Sequence, residues 1–292
     1  MEYGYYPGCS LHGTAKEFDL SIKESMSGLG LKLVEVPDWN CCGASAAHST
    51  NEELALALSA RVLGLAKNNN LNSVMVPCAA CYSRLKVANK AINKDAKILR
   101  RMSDLIGMEY DGSVEVKHVI EVLMDNTDAL TASVSKPLKG MKVASYYGCL
   151  LVRPPEIANF DDTENPVTMD NIVTILGADA VDWSHKTECC GASFSISRAD
   201  SALRLVDAIM EAAQFANADV IAVACPLCHA NLDMRQEVAA KKYGKDYSIP
   251  ILYISQLIGL AQGKNSSDLG LGKHMVSTDA LLSSKFQMAR AL

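Results

Sequence analysis

Apolar and polar residues alternate along this chain with two periods, one of two residues and one near 3.6 residues. In the first half, short apolar or alternating runs predict strands at residues 3–6, 31–36 and 73–76. A stretch with helical spacing follows each strand, at residues 15–29, from residue 50 onward, and at residues 81–92. A strand followed by a helix, repeated in this way, is typical of parallel βαβ units.

Two of these helices have a predicted buried face. The first helix should end at Gly30, and its apolar face consists of Phe18, Ile22, Met26 and Leu29. The second should open with the capping box Thr50-Asn-Glu-Glu53, and its inward side chains should be Leu54, Leu58, Val62 and Leu65. Each apolar face is expected to pack on the sheet formed by the neighbouring strands.

The same order of elements returns in the second half. Strands are predicted at residues 143–147, 180–183 and 219–224, and helices at residues 169–176, at residues 197–216 with a cap from Ser197 to Asp200, and from Pro226 onward. We therefore expect an α/β fold of two tandem Rossmann-like parallel-sheet domains related by internal duplication. The predicted domains are residues 1–138 and 139–292, joined near residues 136–140.

Composition narrows the class of protein. The chain has 292 residues, of which 49% are hydrophobic and 21% charged, and its net charge is −5, which argues against a nucleic-acid partner. The most apolar stretch, residues 249–261, is shorter than a membrane span and is interrupted by Pro250. The first residues lack the basic and apolar regions of a signal peptide. We expect a cytoplasmic protein without direct membrane insertion.

Ten cysteines recur in two sets of five with nearly the same spacing. The first set reads C-x31-CC-x35-C-x2-C and the second reads C-x39-CC-x34-C-x2-C. Both sets contain the run Cys-Cys-Gly-Ala-Ser, and in both a tyrosine and a glycine precede the first cysteine. This agreement indicates an internal duplication. The two sets are Cys9, Cys41, Cys42, Cys78 and Cys81, and Cys149, Cys189, Cys190, Cys225 and Cys228.

Every one of these cysteines follows a predicted strand. Sites in an open parallel sheet lie beyond the carboxyl ends of the strands, so the five thiolates of each half should converge. The helices that follow direct their N-terminal dipoles and free N–H groups at the same point, which favours an anionic centre. The duplication should also place the two sets of loops facing each other.

Five thiolates are one more than a structural zinc or an ordinary cubane cluster takes. The surplus indicates an iron–sulfur centre with an unusual nuclearity or a bridging thiolate. Three alternatives explain less: buried apolar cysteines, two zinc sites, and a thioredoxin-type C-x2-C dithiol. The first does not account for a duplicated set, the second rests on the C-x2-C spacing alone, and the third leaves the Cys-Cys pairs unexplained.

The twofold cysteine pattern resembles the cysteine-rich CCG domain family. Two copies that span essentially the full length, with no other module, are similar to the B subunits of heterodisulfide reductases. The resemblance implies two noncubane [4Fe-4S] clusters, each held by the five cysteines of one half. It also implies the reaction, which is reduction of the mixed disulfide of coenzyme M and coenzyme B to two thiols in methanogenesis.

Related iron–sulfur subunits of lactate, glycolate and glycerol-3-phosphate dehydrogenases and of fumarate reductases carry the same domain, several with a fused ferredoxin module. No C-x2-C-x2-C-x3-C-P run occurs in this sequence. Electrons are therefore expected from a separate ferredoxin-like iron–sulfur subunit, and the resemblance implies a flavin-containing subunit in the same complex. The alternative function is that of an electron-transfer subunit in one of these other oxidoreductases, with no substrate of its own.

The disulfide substrate would be anionic, so basic side chains near the cysteine loops are candidates to bind it. The wider group is His12, His48, Arg84, Arg153, Lys186, Arg198 and His229, and the predicted substrate contacts are His12, His48, Arg153 and His229. His229 is equally suited to donate a hydrogen bond to a cluster sulfur, since it follows Cys228.

Other features are interpreted structurally. His118 corresponds to Tyr253 in the repeat and is expected to serve packing. Trp39 and Trp183 occupy equivalent positions before the Cys-Cys pairs and are expected to shield the clusters. Residues 262–292 have no counterpart in the first half and are expected to dock a partner subunit or to form a disordered end.

Overall fold

The computed structural model of the protein describes residues 1–44 and 47–285. Each half contains a four-stranded sheet whose neighbouring strands all pair in parallel. The strands of the first sheet are β1 (Glu2–Tyr5), β2 (Lys32–Glu35), β3 (Ser73–Val76) and β4 (Glu115–His118), in the order β2-β1-β3-β4. Those of the second are β5 (Lys142–Tyr146), β6 (Asp179–Ala180), β7 (Val220–Val223) and β8 (Ile251–Tyr253), in the order β6-β5-β7-β8.

Helices connect and cover these strands. In the first half they are α1 (Gly8–His12), α2 (Lys16–Gly28), α3 (Ala47–Thr50), α4 (Glu52–Asn68), α5 (Ala79–Lys94), α6 (Ala96–Ile106), α7 (Val119–Asp125) and α8 (Thr127–Ser133). In the second half they are α9 (Pro155–Ala158), α10 (Thr168–Ile175), α11 (Ala199–Phe215), α12 (Pro226–Tyr243), α13 (Ile254–Ala261) and α14 (Asp279–Lys285). The predicted α/β fold with tandem parallel-sheet domains is confirmed, whereas the limits at residues 138 and 139 stay a prediction.

Several local predictions are confirmed and others are wrong. Strand β3 and the start of α12 at Pro226 are as predicted. The fourth strand of each half was not predicted, because β4 and β8 are short and run directly into the helices that follow them. Strand β6 has two residues where four were predicted. Helix α11 begins without a side-chain cap, so the predicted cap from Ser197 to Asp200 is wrong.

The face of α4 also differs from the prediction. Its N-cap is Asn51, whose side chain accepts a hydrogen bond from the Leu54 N–H, while Thr50 belongs to α3. Of the four side chains predicted to point inward, Val62 alone is fully buried and Leu54 is exposed. The buried stripe instead consists of small residues and a few larger ones, namely Ala55, Ser59, Ala60, Val62, Leu63, Gly64 and Ala66. Small side chains let this helix approach its neighbours closely, and a count of large apolar residues does not detect such a face.

The two halves meet through a contact that occurs twice. Helix α2, which follows the first strand of the first half, packs on α13, which follows the last strand of the second half. Helices α10 and α7, their counterparts, pack on each other in the same way. At the first contact the Ser21 and Ser255 hydroxyls are 2.7 Å apart and buried, and the Phe18 ring stacks on Tyr253 with centroids 3.9 Å apart. The halves are therefore related by an approximate two-fold axis.

The later part of the chain packs on this core. Leu269, Leu271, Leu281 and Leu282 are buried, and the Gln262 amide donates to the Ser25 carbonyl of the first half. Residues 262–285 thus belong to the fold, so the expectation of a disordered end is wrong for them, and their docking of a partner subunit stays a prediction. Phe286 and Met288, which were part of that expectation, lie outside the described residues.

Among residues 1–44 and 47–285, no helix is both long enough and apolar enough to cross a bilayer.

Candidate metal centre

Three adjacent loops bring the cysteines of each half together. Cys9 lies in α1 after β1, Cys41 and Cys42 follow β2, and Cys78 and Cys81 lie at the start of α5 after β3. Because β1 is hydrogen-bonded between β2 and β3, these three loops are neighbours at one edge of the sheet. The second half repeats the arrangement, since β5 lies between β6 and β7.

The sulfur atoms within a half contact one another. The Sγ atoms of Cys42 and Cys81 are 3.2 Å apart, and those of their counterparts Cys190 and Cys228 are 3.8 Å apart. The predicted convergence of the distant cysteines is therefore observed in both halves. Cys9, Cys149, Cys81 and Cys228 also lie close enough to shift the pKa values of Cys41, Cys189, Cys78 and Cys225, respectively.

The two sets of cysteines also meet each other. Cys78 and Cys225 are the N-cap residues of α5 and α12, both are buried, and each thiol is close enough to shift the pKa of the other. These two residues are equivalent in the repeat, so they approach each other where the approximate two-fold axis relates the halves. The prediction that the two sets of loops face each other is confirmed.

The crowded thiols shift one another's pKa values. A hydrogen bond with Cys81 lowers the pKa of Cys42 to about 7, and one with Cys149 lowers the pKa of Cys189 to about 6. The pKa values of their partners shift in the opposite direction, because the same interactions, together with burial, raise the pKa of Cys81 and of Cys149. All five thiols of a set can ionise together only if positive charge lies among them, which the iron of an iron–sulfur centre supplies.

Backbone groups complete the environment of the sulfurs. The Gly43 N–H donates to Cys41 Sγ at 3.4 Å, and the Gly191 N–H donates to Cys189 Sγ at 3.3 Å. The N-termini of α5 and α12 add further N–H groups and a positive dipole end beside the C-x2-C cysteines. Soft thiolates, backbone donors and helix dipoles in this arrangement fit an anionic iron–sulfur centre.

Gly148 lets the backbone in front of Cys149 approach the sulfur atom of Cys228. Its φ is +67°, and a Cβ there would lie 2.8 Å from Cys228 Sγ. We expect Gly148→Ala to push Cys228 and the neighbouring Cys149 apart, which leaves three thiolates of that half in place, fewer than a cubane uses, and so to lower the iron content of the chain by about half. Anaerobic iron and sulfide analysis measures this loss.

The control for this substitution is Gly140→Ala. Gly140 has a φ of +71°, and a Cβ there would have no heavy-atom neighbour within 4 Å. The two variants therefore introduce the same backbone strain, but only one crowds a sulfur. Equal iron contents in the two variants would contradict the role assigned to the Gly148 position.

A buried tyrosine supports each Cys-Cys loop. The Tyr6 hydroxyl donates to the Asn40 carbonyl at 2.8 Å, and the Tyr146 hydroxyl donates to the Glu188 carbonyl at 2.6 Å. Asn40 and Glu188 directly precede the two pairs. Both tyrosines are repeat positions to which the sequence alone assigned no function. Their identical spacing from the first cysteine of each half is the sequence feature that indicates a shared role.

The two tryptophans lie on these tyrosines. Trp39 packs edge-on against Tyr6 with centroids 5.5 Å apart, and Trp183 is tilted against Tyr146 at 6.2 Å. Trp183 is buried and donates to the Ser145 carbonyl, whereas Trp39 is half-buried. His12, a predicted substrate contact, packs against Trp39 and lies 3.1 Å from Glu35.

Other predicted basic residues have partners within the protein. The Arg153 guanidinium donates to the Thr163 carbonyl and to Thr187 Oγ1 and pairs with Glu164. Lys186 is buried and pairs with Asp170 at 2.6 Å, which ties a loop of the second half together. His48 lies exposed in α3, Arg198 is exposed beside α11, and Arg84 is half-buried in α5. Contact of His12, His48, Arg153 or His229 with a substrate stays a prediction.

Two buried histidines, His118 and His229, lie at different positions of the repeat. His118 is buried, caps α7 and lies 2.9 Å from the Pro77 carbonyl, which agrees with the predicted packing role, and burial lowers its pKa to about 4. In the second half, His229 is buried on α12 and stacks on Tyr253 with centroids 4.2 Å apart. Its ring nitrogen lies 2.7 Å from His274, a partner that sequence reasoning missed because it is 45 residues away.

Comparison with known proteins assigns the chain to a family. The model of the cysteine-rich domain CCG matches residues 3–86 and 143–233. The 8-methylmenaquinol:fumarate reductase membrane anchor subunit of Wolinella succinogenes is 34% identical over 96% of this chain and 99% of its own length. The B subunit of the ferredoxin:CoB-CoM heterodisulfide reductase of Methanosarcina mazei is 32% identical over 98% of this chain and 97% of its own length.

A solved structure agrees on the fold. A hypothetical protein from Helicobacter pylori superposes with a TM-score of 0.75 over 94% of this chain and 52% of its own, at 16% identity. The duplicated family match covers more than half of the residues, and the matched segments contain all ten cysteines. This protein is accordingly a member of the cysteine-rich CCG domain family, as the twofold cysteine pattern predicted.

Proposed function

We propose that this chain is the iron–sulfur subunit that reduces the heterodisulfide of coenzyme M and coenzyme B to two thiols. Each half would hold one noncubane [4Fe-4S] cluster on its five cysteines, with no further catalytic side chain required. The observation that carries the proposal is the cavity that joins the two sets: it is lined by Cys149, Cys189, Cys190, Cys225 and Cys228 and reaches Ala79 and Ala80, which directly follow Cys78 of the first set. One small molecule could then reach both centres.

The number of ligands supports the type of cluster. Each half offers five thiols on three adjacent loops, two of them with sulfur atoms in contact, and five is one more than an ordinary cubane uses. The Methanosarcina mazei relative, whose name specifies the CoB-CoM heterodisulfide, supports the substrate. When bound, the two clusters would supply the two electrons that cleavage of one disulfide bond consumes, and two protons complete the thiols.

The residues of the chain would hold and orient this chemistry. Tyr6 and Tyr146 fix the backbone in front of the Cys-Cys pairs, and the N-termini of α5 and α12 stabilise negative charge at the centre. Burial of Cys78, Cys225 and Cys228 keeps water from that part of the site. These features would hold the reacting groups near the disulfide in the correct orientation, which raises their effective concentration.

A cavity beside Cys149 offers a path for the substrate. It has a volume of about 510 Å³ and is lined by Cys149, Leu150, Arg153, Pro154, Pro155, Thr163 and Glu164. A smaller cavity of about 50 Å³ continues past Cys189, Cys190, Cys225 and Cys228 to Ala79 and Ala80 of the first half. Arg153 is the cation in the outer wall, and release from Glu164 would let it bind a sulfonate or phosphate group.

We propose two partner subunits in the same complex, a ferredoxin-like iron–sulfur protein that delivers electrons and a flavin-containing protein. The name of the Methanosarcina mazei relative supports the first of these, since it describes part of an enzyme that uses ferredoxin. The proposed location is the cytoplasm.

A second candidate function follows from the Wolinella succinogenes relative. Its name describes a subunit of a fumarate reductase that uses a menaquinol, and at 34% identity it resembles this chain as strongly as the heterodisulfide reductase subunits do. In that case the chain would pass electrons between a quinol and a partner subunit, and the two clusters would serve as relays.

One experiment separates the two functions. The chain is purified without oxygen, loaded with iron and sulfide, oxidised, and examined by EPR after separate additions of coenzyme M, coenzyme B and a menaquinol analogue. We expect one thiol to change the signal of one cluster, because a product thiol binds where the disulfide is cleaved. A chain that responds to the menaquinol analogue alone, and that fails to reduce the heterodisulfide with a reduced viologen, would contradict the proposal and favour electron transfer.

A further inference from the structure

A cavity between the two halves contains a group of side chains that the cysteine centres do not use. It has a volume of about 280 Å³ and lies between the start of α2 in the first half and α12 in the second. Its lining includes Glu17, His229 and Asp233, all of them buried. Two carboxyl groups in one buried cavity carry a high desolvation cost, and burial raises the pKa of both.

Two side chains of this cavity, His229 and Asp233, bring their ligand atoms close to those of His274. His229 and Asp233 lie four residues apart on α12 and therefore on the same face of the helix. His274, from the segment that follows α13, approaches the same point. One nitrogen or oxygen atom from each of these three residues lies within 4.8 Å of the other two.

The surrounding structure fixes His229 and Asp233 in place. His229 stacks on Tyr253, which in turn stacks on Phe18 of the first half. The Asp233 carboxylate accepts hydrogen bonds from the Met275 N–H at 2.7 Å and the Val276 N–H at 3.1 Å. Such supporting contacts orient side chains for metal binding and are typical of the outer shell of metal sites.

The equivalent position in the first half already contains a cation. Lys86 follows Cys81 by five residues, as Asp233 follows Cys228. The Lys86 ammonium donates to the Ala158 carbonyl at 2.8 Å and pairs with Glu121 at 3.5 Å. In the second half an aspartate replaces this lysine and Gln256 corresponds to Glu121. The fold thus places a positive charge at this point in one half and a negative side chain with two imidazoles in the other.

We propose that His229, Asp233 and His274 bind a divalent first-row metal ion of the Zn²⁺ or Fe²⁺ type. Two imidazoles and one carboxylate suit these ions, and three protein ligands leave a position open toward the cavity. The site is distinct from the cysteine centres, although Cys228 and His229 are adjacent in the chain. The bound ion would fasten the segment around His274 to α12.

Zn²⁺ binding to the cluster-loaded chain tests this site. The protein is stripped of loosely bound metal with a mild chelator under anaerobic conditions and dialysed against Zn²⁺, and zinc and iron are measured by mass spectrometry. We expect about one Zn²⁺ per chain with an unchanged iron content. His274→Ala should weaken zinc binding by at least about 100-fold, because a direct ligand is lost.

Two further variants complete the test. Asp233→Asn keeps the size of the side chain and an acceptor for the neighbouring N–H groups, and it should also weaken zinc binding. Gly272→Ala alters a residue two positions before His274, where a Cβ would meet no heavy atom within 4 Å, and should bind zinc like the wild type. Wild-type protein that retains no zinc, or a His274→Ala variant that binds it equally well with normal iron content, would overturn the proposal.

Discussion

Replacement of Cys42 or Cys190 by serine is expected to reduce heterodisulfide reduction by at least about 100-fold, which is the upper end of the loss seen when even an outer-shell partner of a metal is removed. The two residues are equivalent in the repeat, and each is buried against the last cysteine of its half. The loss should be similar in both variants, because cleavage of a disulfide needs two electrons and each half would supply one.

Both variants should still bind iron. Adjacent cysteines cannot both reach the same iron comfortably, so each pair must serve different irons or provide a bridge. When one member is lost, four thiolates remain in that half, which suffices for an ordinary cubane. We therefore expect the altered half to hold a smaller or four-thiolate cluster, and folding to persist because both sheets keep their cores.

Iron and sulfide content, EPR and turnover of the two variants measure these effects against a wild type with about eight iron and eight sulfide per chain. The control is Ser184→Ala, which alters an exposed residue in the loop before the second Cys-Cys pair and should leave turnover near the wild-type rate. If either cysteine variant reduces the heterodisulfide at nearly the wild-type rate, that half has a structural or relay role instead.

The strands and helices could be predicted from the sequence where the local pattern was strong and the same order of elements occurred in both halves. The strand at residues 73–76 and the helix from Pro226 were located correctly, because an apolar β-branched run and a proline at the first helical position are strong local signals. Strands β4 and β8 were missed because their three or four residues merge with the helices that follow. Only their pairing with β3 and β7 makes them strands.

The candidate site, too, could be predicted from the sequence only in part. Spacing alone predicted that five cysteines converge in each half, since loops after adjacent parallel strands must be neighbours. The contact of His229 with His274 could not be predicted in this way, because a segment with no counterpart in the first half supplies His274. The hydrogen bonds of Arg153 and Lys186 could not be predicted from the sequence either, because their partners belong to an irregular loop without periodicity.

Phe18→Ala is expected to lower the free energy of unfolding by about 3–5 kcal/mol, the range for removal of a buried aromatic ring. Phe18 is fully buried in α2 and stacks on Tyr253 of the other half at 3.9 Å. Its loss would leave a cavity at the contact between α2 and α13. Urea-induced unfolding of the cluster-loaded protein, followed by far-UV circular dichroism, measures the change.

The control is Phe215→Ala, because Phe215 is 88% exposed and should contribute no more than about 0.5 kcal/mol. The ring stack continues from Phe18 through Tyr253 to His229, which is adjacent to Cys228. Removal of its first ring should therefore also lower iron retention in the second half, although Phe18 belongs to the first. A loss of stability without any loss of iron would show that the stack joins the two halves but does not position the cysteine loop.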